Sequence, residues 1–133
     1  MKSIRHNTKA ALLSLNIPVH TSRVRSVDIA NTPCVVIYND AQSITNEMPS
    51  GLYAQGPISH SLCIDAVVAY SGEFADELDD LVQDIVELIS QQTYLQSTWI
   101  SLDRIDIDYQ YVGEKERPLA IANIKLSGIT FKE

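Results

Sequence analysis

Between Ile58 and Gln91 the hydrophobic period changes abruptly from two residues to about 3.6. From Ile58 to Tyr70, Leu62, Ile64, Ala66, Val68 and Tyr70 share one face of an extended chain. Ser61, Cys63, Asp65, Val67 and Ala69 take the other. Ser71-Gly72 stops this strand, and a helix follows from Glu73 to about Gln91. Phe74, Leu78, Leu81, Val82, Ile85, Leu88 and Ile89 make its wide apolar stripe. Glu73, Asp76 and Glu77 occupy the first turns, where the helix dipole favours negative charge. A strand that runs into a one-sided helix requires a layer of helix packed on sheet.

The flanking segments fit such a layer. Ser3 to Leu15 reads as a helix with Ile4, Thr8, Ala11, Leu12 and Leu15 in its stripe and Lys2, Arg5, His6 and Lys9 away from it; Asn16 and Pro18 end it. Val19 to Thr32 reads as an irregular or weakly extended connection. Pro33 opens Cys34-Val35-Val36-Ile37-Tyr38, a buried strand, and Gln42 to Met48 suggests a second. After a linking segment containing Trp99, Leu102 to Val112 alternates: Ile105, Ile107, Tyr109 and Tyr111 on one side, Arg104, Asp106, Asp108 and Gln110 on the other. A polar turn over residues 113–118 leads to a partner strand, Leu119 to Phe131. The expected fold is a single α+β domain over residues 1–133. It is two-layered, a mixed sheet with two main helices on one face, in the order α-β-(β)-β-α-β-β.

The 133 residues, 45% hydrophobic and 20% charged, supply a core without disulfide or metal support. Cys34 and Cys63 lie in strand-like runs and read as reduced, buried thiols, a cross-strand disulfide being the alternative. The start resembles no signal peptide and no apolar run is long enough to span a bilayer, so a cytosolic site of synthesis is expected. The net charge of −7 is unevenly placed. Residues 1–64 carry five basic and three acidic side chains, residues 65–133 five basic and fourteen acidic. Such a chain is poorly suited to gripping phosphates, but its two unlike parts can attract copies head to tail.

Candidate chemistry is sparse. Asp76, Glu77, Asp79, Asp80 and Asp84 resemble an aspartate-rich magnesium motif, but enzymes using one are large helical bundles. With Glu87, the face of Asp76, Asp80 and Asp84 reads as a solvated or interface-facing surface. Asp106 and Asp108 read as part of a polar sheet face beside Arg104 and Gln110. His6, His20 and His60 have no metal-ligand spacing. Nucleophile elbow, phosphate-binding glycine loop and zinc motif are lacking. The expectation is a protein that is not an enzyme and needs no cofactor or metal. The stretch from Asn46 to Pro57 sets Met48, Leu52 and Tyr53 among Pro, Gly and Ser, the pattern of a partner-binding loop or of a loop tucked onto its own core.

Several segments together resemble the tail terminator family of long-tailed phages, the minor tail protein U type. They are the basic first helix, and Val19-His20-Thr21-Ser22-Arg23-Val24 leading to Pro33-Cys34-Val35-Val36-Ile37-Tyr38. Next comes the strand Leu62 to Tyr70 running into Ala75-Asp76-Glu77-Leu78-Asp79-Asp80-Leu81. Last is the hairpin of Tyr109-Gln110-Tyr111 and Leu119-Ala120-Ile121-Ala122-Asn123-Ile124. Pro49 to Pro57 departs from that pattern.

The resemblance implies a structural subunit forming a hexameric ring on the head-proximal end of the tail tube, where it stops polymerisation and presents the head-docking surface. Its implied partners are its own copies, the tube protein and a head-completion or connector protein, without specific nucleic-acid or membrane binding. Its implied location is the bacterial cytoplasm during assembly and then the virion tail. Arg5, Arg23, Arg25, Asp76, Asp80, Asp84 and Glu87 are the expected self-association residues, and Met48, Leu52 and Tyr53 the expected partner-binding loop. Another head–tail joining protein, or a stand-alone ligand-binding or regulatory α+β domain, is the alternative.

Overall fold

The computed structural model describes residues 2–21, 33–44, 58–69, 74–114 and 117–130. Helix α1 (Lys2–Leu12) buries Ile4, Thr8 and Leu12, one residue per turn. It tightens into a 3-10 turn over Leu13–Leu15, closed by Asn16 at φ 59°, a left-handed conformation that asparagine tolerates. Strand β1 (Val19–Thr21) follows at once and pairs in parallel with Val35–Ile37. The segment after Pro18, expected to be irregular or weakly extended, begins as a paired strand; its remainder, residues 22–32, lies outside the described residues.

Strand β2 (Cys34–Ile44) is one strand rather than two. Its ladder with β3 (Ile58–Ala69) shifts register between Asn39 and Ala41, so the polar Asn39-Asp40 pair forms a bulge instead of a turn. Helix α2 (Phe74–Ile89) buries Leu78, Val82, Ile85 and Ile89, as its stripe requires. A further helix, α3 (Gln92–Thr98), replaces the expected linker. Strands β4 (Ser101–Glu114) and β5 (Arg117–Thr130) pair antiparallel and extend further into the connection than the polar run 113–118 suggested.

The fold is α+β: a mixed five-stranded sheet in the order β1-β2-β3-β5-β4, antiparallel except for β1, with three helices on one face. The principal core lies between that face and the helices. Val35, Ile37, Leu62, Ile64, Ala66, Val68, Ala120, Ala122, Ile124 and Leu126 meet the apolar sides of α1, α2 and α3 there. A smaller cluster of Cys34, Val36, Val67 and Leu119, flanked by Tyr38 and Ile121, lies on the opposite face. Cys34 and Cys63 are both buried and form no disulfide, and the register sets Cys34 beside Val67 and Cys63 beside Tyr38, out of reach of each other.

A chain of buried hydrogen bonds fixes α3. Thr8 Oγ1 donates to the Ile4 carbonyl (2.7 Å), so its contact with Tyr94 Oη (2.8 Å) must take its proton from the tyrosine. Tyr94 Oη in turn accepts from Trp99 Nε1 (3.1 Å). Donation thus runs Trp99 to Tyr94 to Thr8 to Ile4 and ties α3 to α1. The Trp99 ring packs edge-on to buried His60, whose Nε2 lies 3.1 Å from Asn39 Oδ1. At Gly128, an added Cβ would collide with the Ser101 carbonyl and lie 2.9 Å from Leu102 Cα and 3.0 Å from the Trp99 ring. The close crossing of β4 over β5 beside its bulge requires glycine here.

Candidate interaction surface

Strand β4 is the long edge of the sheet, and among the described residues nothing pairs with its outer side. Its register with β5 sets Ile105 beside Leu126, Ile107 beside Ile124, Tyr109 beside Ala122 and Tyr111 beside Ala120. Partners across a ladder share a face, so this row belongs to the helix-covered side. Helix α2, however, packs mainly over β3 and β5 and covers β4 only in part. The row is therefore left 37, 38, 44 and 56% exposed in chain order, a contiguous apolar stripe along an open edge. Phe74 at the start of α2 meets Tyr111 edge-to-face (5.6 Å between centroids). Burial, and then the neighbouring Asp79 carboxylate, raise the Tyr109 phenol above its ordinary value.

The two charged helices lie side by side over different strands, α1 on β1 and β2, α2 on β3 and β5. Helix α1 carries Lys2, Arg5 and Lys9 and no acidic residue; α2 carries six acidic residues and no basic one. Asp76, Asp80, Asp84 and Glu87 are all exposed. Arg5 is only half-exposed and its Nε is enclosed without a hydrogen-bond partner, so this residue is partly a packing element. Arg23, Arg25, Met48, Leu52 and Tyr53 lie outside the described residues.

The face of the sheet away from the helices holds a polar cluster that periodicity alone does not reveal. Asn123 Nδ2 donates to Asp65 Oδ1 (2.6 Å) and to Tyr38 Oη (3.1 Å), and Tyr38 Oη donates to the same carboxylate (3.4 Å). Burial raises the Asp65 carboxyl against the lowering effect of Asn123 and Tyr38. Burial likewise raises the Cys63 thiol, which makes it a poor nucleophile, and it raises Tyr38 far above the ordinary phenol range. Lys125 pairs with Asp40 (2.9 Å) and is raised by that hydrogen bond and charge; Arg104 pairs with Asp106 along β4 (2.9 Å). The cluster is a network of hydrogen bonds and an ion pair that ties β2, β3 and β5 together.

Among the described residues no three His, Cys, Asp or Glu side chains converge to hold a metal ion. Among the described residues, an open depression is lined by Ser90, Leu95, Leu102, Asp103, Arg104 and Ile105. No described helix is long and apolar enough to cross a membrane. The alternation of residues 105–111 identified the apolar row, but its exposure depends on where α2 lies, which periodicity does not encode. Neither a protein-family model nor a curated protein matches this chain.

Proposed function

We propose that this chain is a self-associating structural subunit of the phage tail terminator type, whose copies close into a ring on the head-proximal end of a tail tube. The observation that carries this reading is the placement of the charged helices toward opposite edges of one sheet, basic α1 over β1–β2 and acidic α2 over β3–β5. Copies set side by side bring the acidic edge of one to the basic edge of the next. Such a heterologous contact closes into a ring when its rotation permits. The exposed row on β4 adds apolar area to the same edge. The resemblance in segment order supplies the rest of the proposal. The ring ends tube growth, meets the tube protein on one side and a head-completion or connector protein on the other, and performs no catalysis. It assembles in the host cytoplasm and stays in the virion tail.

The test is tail length by electron microscopy in a phage lacking this protein. Tubes should grow beyond normal length and filled heads should remain unattached, and purified protein added during assembly should cap growth. Tails of normal length that still join heads would refute the proposal.

A further inference from the structure

We propose that two copies of this chain pair their β4 edges antiparallel about a twofold axis through Tyr109, forming a dimer that occupies the edge a ring contact needs. The argument starts from the strand's own residues. Beyond the bulge at Asp103, β4 runs regularly from Arg104 to Glu114, and Tyr109 is the middle of that run. A twofold axis perpendicular to the sheet pairs residues equally distant from its centre and keeps each on its own face. Each choice of centre therefore makes a definite set of cross-strand neighbours.

Most centres fail on charge. An axis at Asp106 or Asp108 sets that carboxylate against its own copy. An axis at Ile107 sets Asp106 against Asp108 twice; one at Gln110 sets Asp106 against Glu114 twice; one at Tyr111 sets Asp108 against Glu114 twice. Like charges directly opposite destabilise a ladder. An axis at Tyr109 makes no such pair. It sets Arg104 against Glu114 twice, Asp108 against Gln110 twice, Ile107 against Tyr111 twice, and Tyr109 against itself. It also engages the whole regular run.

The faces agree as well. Ile105, Ile107, Tyr109 and Tyr111, already exposed, become one apolar row shared by the two copies on the helix side. The outward main-chain groups of an edge left open among the described residues gain partners, the usual mode of strand addition. Because the ring contact proposed above uses the edge of α2 and β4, a chain held in this dimer is held out of the ring. The dimer itself does not depend on that reading.

Sedimentation equilibrium of the full chain, with cysteine cross-linking, tests the register. Wild-type protein should sediment as a dimer. Under mild oxidation, Tyr109→Cys should cross-link as a disulfide dimer, since twofold neighbours place their Cβ atoms about 4.5–5.5 Å apart. Ile105→Cys, opposite Gly113, should not cross-link. Arg104→Glu should weaken dimerisation at least tenfold, and Arg104→Glu with Glu114→Arg should restore it. Arg104, Ile105 and Tyr109 are exposed, and unchanged melting curves confirm that each variant is folded. Monomers up to about 1 mM, or rings in which Tyr109→Cys fails to cross-link, overturn the dimer; the second outcome leaves the ring reading standing. Dimers that show the cross-link without any ring, even on tube ends, support this inference and count against the ring.

Discussion

Asp65 lies on a strand face that alternation assigns correctly, yet its chemistry comes from Asn123, 58 residues along the chain. Period-two reasoning places a side chain on a face; it does not say which strand lies alongside. The consequence is measurable, because burial raises the Asp65 carboxyl in the folded protein. A raised acid favours its protonated form when folded. Its contribution to stability is therefore greatest below the ordinary value of 3.8 and is lost as pH rises through the higher folded value. Above that folded value the side chain is a half-buried charge, only partly compensated by its two donors. Asp65→Asn keeps an acceptor for Asn123 and removes that charge. It should raise the melting temperature at pH 7 by roughly 2–5 °C. Thermal melts of both proteins should converge as pH falls toward 3.8. A lower melting point for the variant at pH 7 would show that the ionised carboxylate stabilises the fold.

At the scale of elements, the long periodic segments were legible and the short ones were not. Helix α2 announces itself through seven stripe positions. Helix α3 has only seven residues, rich in Gln, Ser and Thr, and its existence depends on Tyr94 and Trp99 reaching Thr8 on α1. Strand β1, three residues long, is held by parallel pairing to β2, which leaves no mark in local sequence. Asn39-Asp40 looks like a strand end because bulge and turn use the same residue types. The tie between α3 and α1 is open to a single-atom test. Tyr94→Phe leaves the Trp99 indole N–H buried without its acceptor, at a cost of about 1–3 kcal/mol. The melting temperature should fall by roughly 4–10 °C, and the Trp99 indole proton should exchange faster with solvent by NMR. Unchanged stability and exchange would mean that apolar packing alone holds α3 in place.

For the whole molecule, the order β1-β2-β3-β5-β4 was not readable, because periodicity is blind to which strands become neighbours. That order carries basic α1 toward one edge and acidic α2 toward the other. Asp80→Lys, Asp84→Lys and Glu87→Lys together reverse an exposed face of α2 without entering the core. The triple variant should melt within a few degrees of wild type. Negative-stain microscopy of tail-tube ends should show its rings abolished there, and wild-type rings on those ends should thin out as salt rises. Rings that persist in the variant would remove the charge basis of that contact. The same strand order also sets a timetable for synthesis. Strand β3 pairs on one side with β2, already made, and on the other with β5, which begins 48 residues after Ala69. At about 5–20 residues per second, the second neighbour arrives roughly 2–10 s later. Throughout that interval the twelve-residue β3 has one edge bare on the ribosome, and it is then the chain's most exposed site for pairing with the wrong strand.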